Sequence, residues 1–308
     1  TGTHSLTATA TDKAGNVSPA SAALSITVDG SVPTAPAGLS LAAADDTGPS
    51  NSDGITSQTS GLTISGTAEA GTLVTLRNGA VVLGTVTASA SGTFSLDVSL
   101  PVGTHSLVAT ATDLAGNISP ASTPLAIVVD TAAPSTPVAL DLADEDDTGI
   151  SVTDNITKNS NGLTISGQAE AGSLITLRNG TAVLGTAVTG ANGIFSLDVS
   201  LPAGTHNLTA SATDKAGNVS TASEPLVITV DPTNPAAPTG LDLADEDDTG
   251  ASSTDNITKN TSGLTITGTA EAGALVTLRS GTSVLGTTTA GTNGVFSLDV
   301  SLPTGTHS

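Results

Sequence analysis

Apolar and polar residues alternate along many short segments of this chain, which is the pattern of half-buried β-strands. In the segment 195–201, four apolar residues fall on one face and Asp198 falls on the other. No segment of useful length repeats its apolar residues at helical spacing. The alternation therefore predicts an all-β fold.

Seven strands of this kind are predicted between residues 132 and 231. Asn179-Gly180 separates two of them and favours a hairpin turn. Seven short strands in a segment of this length indicate a sandwich of two sheets. The predicted strands are Val138–Leu142, Leu163–Gly167, Leu174–Leu177, Ala182–Thr186, Phe195–Leu201, His206–Thr213 and Pro225–Val230.

The same pattern recurs along the chain with a period of 101 residues and no insertion. The positions that keep this period include His4, His105, His206 and His307, Phe94, Phe195 and Phe296, and Arg77, Arg178 and Arg279. A repeated unit of this size is a whole domain rather than one turn of a solenoid. The chain is therefore predicted to be a tandem array of domains.

Proline-rich joints at 32–36, 133–137 and 234–238 predict the domain boundaries. Because proline restricts φ and lacks an amide donor, these joints should be short and stiff, and the array should form an elongated rod. The predicted domains are the C-terminal part of a repeat at 1–29, complete repeats at 31–130 and 132–231, and a repeat lacking its last strands at 233–308.

Two of these repeats are incomplete. Residues 1–29 hold the last two predicted strands of a repeat, and residues 233–308 hold the first five. We expect a segment of a longer array; the alternative is that residues 1–29 of one copy complete residues 233–308 of another by strand addition. Both cases predict that the fifth strand of the last repeat is more exposed than its counterpart in the preceding repeat. The residues compared are Phe296, Leu298 and Val300 against Phe195, Leu197 and Val199.

The chain is strongly acidic, with 28 Asp and Glu against 7 Lys and Arg and a formal net charge of −21. Such a chain does not bind nucleic acid by counterion release and is repelled by anionic membrane surfaces. No apolar run approaches the roughly 20 residues of a membrane helix, so no membrane insertion is expected in this segment. No Ser/His/Asp set or Gly-rich phosphate loop indicates catalysis, so we do not expect an enzyme.

Acidic residues cluster once in each repeat. The segment 144–154 is rich in carboxylates, the segment 245–255 repeats it, and a weaker copy lies at 45–53. Carboxylates this close repel one another unless water screens them or a hard cation neutralises them, and Ca²⁺ prefers about six to eight oxygen ligands. The pattern predicts a calcium loop. The alternative is a solvated acidic loop that only aids solubility.

Three motifs make the chain resemble bacterial Ig-like repeats along its whole length. They are Gly-Thr-Ala-Glu-Ala-Gly at 66–71 and 268–273, Ala-Thr-Asp-Leu-Ala-Gly-Asn at 111–117, and Val-Asp before each proline-rich joint. Repeats of this kind form the extender regions of giant bacterial surface adhesins, including adhesins of the repeats-in-toxin type. The resemblance implies Ig-like sandwiches, an extracellular location at the bacterial cell surface, and calcium at the domain joints.

Each repeat has one histidine at a defined place. His105 and His206 stand two residues before the position of the second cysteine of antibody domains, where the Ig-like fold often keeps a tyrosine that bonds to the backbone. One histidine per unit and no cysteine cannot supply the four ligands of a zinc site. We therefore favour a structural role for this histidine over a metal-binding or catalytic one.

Ig-like topology places the predicted calcium ligands at the joints. The acidic segment and the end of the last strand lie at one end of a domain, facing two loops of the next domain, so a cation held there would stiffen the array. At the joint after residue 130 the predicted ligands are Asp45, Asp46, Asp53, Asp130, Glu170 and Asp214. At the joint after residue 231 they are Asp146, Asp147, Asp154, Asp231 and Glu271. Asp29, Glu69 and Asp113 form a set at the joint after residue 29, and Asp247, Asp248 and Asp255 belong to the last acidic segment. The alternative is that the glutamates are polar turn residues and that Asp113 and Asp214 cap turns.

These observations favour a calcium-stiffened structural spacer whose partners are the adjacent repeats of the same chain. The sequence does not identify the distal ligand of the parent adhesin. The alternative is that each repeat is itself a glycan- or protein-binding module. Sugar-binding surfaces usually use exposed aromatic residues, but the chain has no Trp or Tyr, and its three Phe are predicted to face inward.

Overall fold

The computed structural model describes residues 1–308 and consists of strands, turns and bends, with no helix. The all-β prediction is confirmed. No helix has the length and hydropathy that crossing a membrane requires. The chain divides into two compact units. The first unit is Thr1–Leu142, Thr164–Val199 and His206–Val227, and the second is Ala143–Leu163, Ser200–Thr205 and Ile228–Ser308.

The N-terminal part of the first unit holds an isolated strand pair and one complete repeat. Strands β1 (Gly2–Leu6) and β2 (Leu24–Val28) pair antiparallel, and every side chain in them is exposed. The strands of the repeat are β3 (Ala37–Leu41), β4 (Ile55–Thr56), β5 (Leu62–Thr67), β6 (Leu73–Asn78), β7 (Val81–Thr87), β8 (Thr93–Val98), β9 (Gly103–Thr112) and β10 (Leu125–Val129). One sheet has the order β3-β5-β8 and the other has the order β4-β10-β9-β6-β7.

An apolar core fills the space between these two sheets. It forms because alternate residues of each strand face inward, as with Leu62 and Ile64 of β5 and Leu76 of β6, all at most 1% exposed. Phe94 lies against the backbone of Gly66, where an added Cβ would be 2.8 Å from the Phe94 ring. Glycine at this strand position therefore makes room for the one large aromatic ring of the repeat.

The short strand β4 was not predicted from the sequence. It follows the acidic segment and pairs parallel with β10, whereas the neighbouring β9–β10 pair is antiparallel. Backbone bonds from Val128 N to Gly54 O, at 2.8 Å, and from Asp130 N to Thr56 O, at 2.9 Å, hold this pair together. The acidic segment is thus fixed beside the end of the last strand, where Ig-like topology places it.

The second complete repeat has the same strand order, and all seven strands predicted for it are present. Its strands are β11 (Val138–Leu142), β12 (Ile156–Thr157), β13 (Leu163–Gln168), β14 (Leu174–Asn179), β15 (Ala182–Val188), β16 (Ile194–Val199), β17 (Gly204–Thr213) and β18 (Leu226–Val230). The sheets have the orders β11-β13-β16 and β12-β18-β17-β14-β15. The predicted strand 195–201 ends two residues earlier, at Val199.

The last part of the second unit contains five strands of a repeat. They are β19 (Thr239–Leu243), β20 (Leu264–Thr269), β21 (Leu275–Ser280), β22 (Ser283–Thr289) and β23 (Val295–Val300). They form a three-stranded sheet of order β19-β20-β23 and the hairpin β21-β22.

The predicted exposure of the fifth strand in this last repeat is wrong. Phe296 and Phe195 are both 2% exposed, and Val300 and Val199 are both 5% exposed. Leu298 is half-buried, as is its counterpart Leu197, which completes the comparison of Phe296, Leu298 and Val300 with Phe195, Leu197 and Val199.

The reason is that β23 packs against elements that are present. Val300 lies in a cluster with Leu243 and Leu264, and Phe296 lies in a cluster with Val276 of the hairpin. The difference from the preceding repeat lies at β21 instead. The equivalent strand β14 pairs with β17 along its length, whereas β21 pairs only with β22. Leu278 of β21 is accordingly half-buried, whereas Leu177 of β14 is fully buried.

Candidate functional site

Three acidic loops connect the first strand of each repeat to the segment that follows. We call them the first (residues 42–54), second (143–155) and third (244–256) acidic loops. In the first, Asp45 N and Asp46 N both donate to Ala42 O, which forms a tight turn. Two carboxylates then fasten the loop, because Asp45 Oδ2 accepts from Thr63 N at 2.9 Å and Asp46 Oδ2 accepts from Gly54 N at 3.0 Å.

Each acidic loop buries one aspartate with an unpartnered oxygen. Asp46, Asp147 and Asp248 are 5%, 2% and 5% exposed. In each of them Oδ2 accepts a backbone hydrogen bond, but Oδ1 has no hydrogen-bond partner. A buried carboxylate oxygen without a partner is costly, so these atoms mark the place in the loop where a cation or a water molecule would be stabilised.

A second recurring element is the turn between the last two strands of a repeat. We call residues 12–16, 113–117 and 214–218 the Asp–Asn turns, since each reads Asp-X-Ala-Gly-Asn. Asp214 Oδ1 accepts from Asn218 N and Asp214 Oδ2 accepts from Asn218 Nδ2, each at 2.9 Å. The same pair of bonds links Asp113 to Asn117. Both aspartates therefore cap their own turns.

These bonds also change the acidity of two of the aspartates. The side-chain hydrogen bond from Asn117 is the largest of several that hold the pKa of Asp113 below its ordinary value. The bond from Asn16 lowers the pKa of Asp12 in the same way. The charged form of the aspartate is stabilised in each case because it accepts the bonds.

At the joint after residue 130, which lies inside the first unit, the acidic loop and the Asp–Asn turn meet. Thr47 Oγ1 donates to Ala216 O, and Asn218 Nδ2 donates to Asp130 O at 2.8 Å. Ala216 is 1% exposed and Asp214 is 8% exposed. The end of β10, the first acidic loop and the turn of the following repeat therefore form one packed junction.

A cleft of about 310 Å³ lies at this junction. Three of the predicted calcium ligands line it, namely Asp130, Glu170 and Asp214, together with Lys215. The other three predicted ligands of this joint, Asp45, Asp46 and Asp53, belong to the acidic loop and do not line the cleft. No group of three or more His, Cys, Asp or Glu side chains is arranged to hold a metal ion. The predicted bridging set is thus split between the loop and the cleft.

The predicted glutamates lie in exposed turns. Glu69, Glu170 and Glu271 are all exposed at their side chains. Their backbone oxygens close the turns: Thr72 Oγ1 donates to Glu69 O and Ser173 Oγ donates to Glu170 O, each at 2.7 Å. This arrangement is the one expected of polar turn residues.

The joint after residue 231 brings fewer of its predicted residues together. Asp231 is exposed, and Asp231 Oδ1 accepts hydrogen bonds from the backbone and side chain of Thr233, the latter being the main cause of its lowered pKa. Asp231 N donates to Thr157 O, which ties the end of β18 to β12. Asp147 is buried, Asp146 is half-buried, and Asp154 and Glu271 are exposed.

The remaining predicted ligands accept hydrogen bonds from other residues of the chain. Asp29 is exposed, and its backbone oxygen accepts from Asn117 Nδ2 at 3.1 Å. Asp247 Oδ2 accepts from Thr265 N at 2.8 Å. The exposed residues Asp53, Asp154 and Asp255 each accept from the backbone amide two residues later.

His105 bonds to the backbone, in agreement with the structural role predicted for the histidine of each repeat. His105 is 7% exposed, and its Nε2 lies 2.7 Å from Pro101 O, while Nδ1 lies 2.8 Å from Asn78 Nδ2. Since a carbonyl oxygen can only accept, Nε2 carries the proton and Nδ1 accepts from Asn78. Both ring nitrogens are therefore hydrogen-bonded, and the ring holds the start of β9 in place.

The residues that join the repeats directly were not predicted from the sequence. Asn117 and Asn218 recur at the end of the Asp–Asn motif, but the motif served only as a mark of resemblance. Gly48 and Gly217 looked like ordinary turn residues. A signal was present in the strict recurrence of asparagine, whose amide can donate two bonds at once.

Comparison with known proteins places the chain in a family. The model of the bacterial Ig-like domain matches residues 33–131, 133–232 and 235–308. A search of curated protein sequences found no match.

Similar solved structures include a tetra-tandem repeat from the extending region of a large adhesion protein. It is 21% identical, covers 98% of this chain and 74% of that chain, and has a TM-score of 0.28. The BSP domain of a biofilm-associated protein is 20% identical, covers 66% and 30%, and has a TM-score of 0.23. The fibronectin(III)-like modules of Clostridium thermocellum CbhA are 19% identical, cover 57% and 87%, and have a TM-score of 0.35.

The family model matches the two complete repeats and the five strands of the last one, which together make up most of the chain. The chain therefore belongs to the bacterial Ig-like domain family and consists of its repeats in series.

Proposed function

We propose that this chain is a structural spacer of a giant bacterial surface adhesin of the repeats-in-toxin type. In this role the repeats project a distal adhesion domain from the cell surface for attachment or biofilm formation. The observation that carries the proposal is the repetition itself: the same sandwich recurs with a period of 101 residues. A spacer needs length and regular joints rather than one unique binding pocket.

The aromatic residues support a spacer over a glycan-binding module. Phe94, Phe195 and Phe296 are 5%, 2% and 2% exposed and pack in the cores of their repeats. They are not available to stack on a sugar, and the chain has no Trp or Tyr. The proposed spacer is extracellular and has no enzymatic activity of its own.

We further propose that calcium stiffens the spacer by binding in the acidic loops. One observation supports a hard cation: each loop buries an aspartate whose Oδ1 atom lacks a hydrogen-bond partner, and carboxylate oxygen is a ligand that Ca²⁺ prefers. Asp46, Asp147 and Asp248 would be the central ligands. Calcium would supply the positive charge that the buried carboxylate lacks, and so order the loop.

Asp130, Glu170, Asp214 and Lys215 line the cleft at the joint, but the three acidic side chains are not arranged to hold a metal ion. The buried aspartates of the loops are therefore the calcium ligands in this proposal.

Thermal unfolding of the full chain with calcium and with chelator tests the calcium proposal. Extracellular calcium modules bind at about 10⁻⁴ to 10⁻³ M. Calcium at about 100-fold above its dissociation constant would stabilise each site by roughly 2.7 kcal/mol, so chelation should lower the melting temperature by several degrees.

Asp147→Asn sharpens this test. In calcium the variant should melt below the parent chain, because it loses a ligand charge. In chelator it should melt at or above the parent, because the buried uncompensated charge is gone. Asp198→Asn is the matched control, since Asp198 is exposed on β16 and the charge change is the same. A parent chain that melts identically with and without calcium would overturn the calcium proposal.

A glycan array probed with the full chain tests the spacer role separately. We expect no specific binding to any sugar. Clear binding to a defined sugar would contradict the spacer and favour a binding module.

A further inference from the structure

The backbones of two repeats touch at the joint after residue 130, within the first unit. A Cβ added at Gly48 of the first acidic loop would lie 2.2 Å from Lys215 O and 3.0 Å from Gly217 N. A Cβ added at Gly217 would lie 2.9 Å from Gly48 N and 3.0 Å from Gly48 Cα. A side chain at either position would push the two backbones apart.

Polar contacts flank this close approach on both sides. Thr47 Oγ1 donates to Ala216 O, and Asn218 Nδ2 donates to Asp130 O. Because Ala216 is almost completely buried, the acidic loop covers the tip of the Asp–Asn turn. The contact thus has a tight centre without side chains and a hydrogen bond at each edge.

The turn has the same shape whether or not a loop covers it. Gly15, Gly116 and Gly217 have φ values of 90°, 92° and 89°. An added Cβ at Gly15 or Gly116 would meet nothing within 4 Å, so neither turn touches an acidic loop. The Asp–Asn turn is therefore preformed by its own hydrogen bonds.

The acidic loop, by contrast, differs between repeats at the contacting glycine. Gly48 has a φ of 109°, whereas Gly149 and Gly250, at the same position of the second and third loops, do not have a positive φ. An added Cβ at Gly149 would come no closer than 3.7 Å to any atom, and the nearest atoms belong to its own loop. The turn therefore has the same conformation at this glycine in all three copies, whereas the acidic loop does not.

We propose that the Asp–Asn turn is a preformed docking surface for the acidic loop of the preceding repeat, and that the glycine pair and the Asn218 amide fix the joint. On this basis the ion of the proposed function acts inside the acidic loop, by selecting the loop shape that docks, and does not bridge the two repeats. A preformed turn lowers the entropy cost of docking, because only the loop has to be ordered.

The absence of cysteine allows a direct test on the full chain. Ser91→Cys and Thr181→Cys place one spin label on an exposed site of each complete repeat. Distances between the labels, measured by double electron–electron resonance in calcium, should give one narrow peak for the parent. Gly217→Ala should lose this narrow peak, because the added methyl group collides with Gly48.

Gly116→Ala is the matched control, because it has the same positive φ and therefore the same backbone cost, but no loop faces it. It should keep the narrow peak. Thr47→Val is a second variant that keeps the glycines. It removes the bond to Ala216 O and also the bond that Thr47 Oγ1 accepts from Ser57 N within its own repeat, and it should broaden the peak less. Equal broadening by Gly217→Ala and Gly116→Ala, or none in either, would overturn the docking surface.

Chelator separates this inference from the calcium proposal. If the ion acts through the docked loop, chelator should broaden the parent peak and leave Gly217→Ala unchanged. Further broadening of Gly217→Ala by chelator would contradict action through the loop and indicate a bridging ion. A narrow parent peak in chelator, with a broad Gly217→Ala peak, would uphold the docking surface and overturn the calcium proposal.

Discussion

The joints after residues 29 and 130 use the same turn in two different surroundings. In both, an asparagine amide donates to the backbone oxygen of the last aspartate of the preceding repeat: Asn117 to Asp29 and Asn218 to Asp130. Residues 1–29 hold only the last two strands of their repeat and do not include its acidic loop, whereas at the second joint an acidic loop lies in front of the turn. Ala216 is buried there, whereas the equivalent residue of the first joint, Ala115, is exposed.

This difference separates two contributions to a joint. The amide bond needs only the end of the preceding strand, so it is present in both joints. The burial of the turn and the glycine contact need the acidic loop, so they are present only in the second. The acidic loop therefore adds packing to a joint whose register the asparagine already sets.

The largest effect is expected from a charge placed under the acidic loop. Ala216→Glu would bury a carboxylate beside other carboxylates, which should cost roughly 3 kcal/mol of docking free energy or more. Ala115→Glu makes the same change at an exposed site and should have no effect. Limited proteolysis at the proline-rich segment 133–137 measures the difference between the two variants. The cleavage rate should rise in Ala216→Glu and stay unchanged in Ala115→Glu. Similar rates in both variants would remove the distinction between the two joints.

A smaller effect is expected from the asparagines. Asn218→Ala and Asn117→Ala each remove one bond between repeats as well as the side-chain bond to the aspartate of the turn, whereas Asn16→Ala removes only the side-chain bond within the turn. The bond between repeats should contribute about 1 kcal/mol. Hydrogen exchange of the backbone amides in the turns should therefore show more opening for Asn117→Ala and Asn218→Ala than for Asn16→Ala. The same opening in all three would mean that the bond to the preceding repeat contributes nothing.

The smallest effect concerns pH at the exposed joint. The pKa of Asp113 is lowered from 3.8, chiefly by the bond from Asn117. A lowered pKa means that the turn is stabilised fully above the ordinary value, and that this contribution is lost as the pH falls through the lower value of the folded chain. The ¹³C shift of the Asp113 carboxyl carbon should report a midpoint below 3.8. In Asn117→Ala the midpoint should move up towards the ordinary value; a midpoint that stays in place would assign the shift to another cause.

Strand alternation was enough to predict the sandwich, because the strands that form the cores, such as β5 and β13, bury alternate residues. The predicted bounds of Val138–Leu142 match β11 in full. The two-residue strand β4 escaped prediction, since alternation cannot be detected over two residues. The burial of Asp46 also escaped, because a segment with several Asp and Ser residues has the composition of an exposed loop.

The joint could not be predicted because it depends on distant residues meeting. Thr47 and Ala216 are 169 positions apart, and neither has an unusual neighbourhood in the sequence. Ig-like topology placed the acidic segment and the Asp–Asn turn at facing ends of neighbouring domains, so the location of the joint could be predicted. It did not reveal that glycine backbones touch there, since this follows from the packing of both repeats.

The parallel pairing of β4 with β10 has a mechanical consequence. Tension applied at Asp130 pulls β10 from its C-terminal end, while the opposing pull reaches β4 from its N-terminal end. Parallel strands that are drawn in these opposite directions slide against each other, so the bonds from Val128 N and Asp130 N bear the load together. An antiparallel hairpin pulled at its two open ends would instead unzip one bond at a time. Tension along the chain would thus load the bonds between β4 and β10 in shear rather than one at a time.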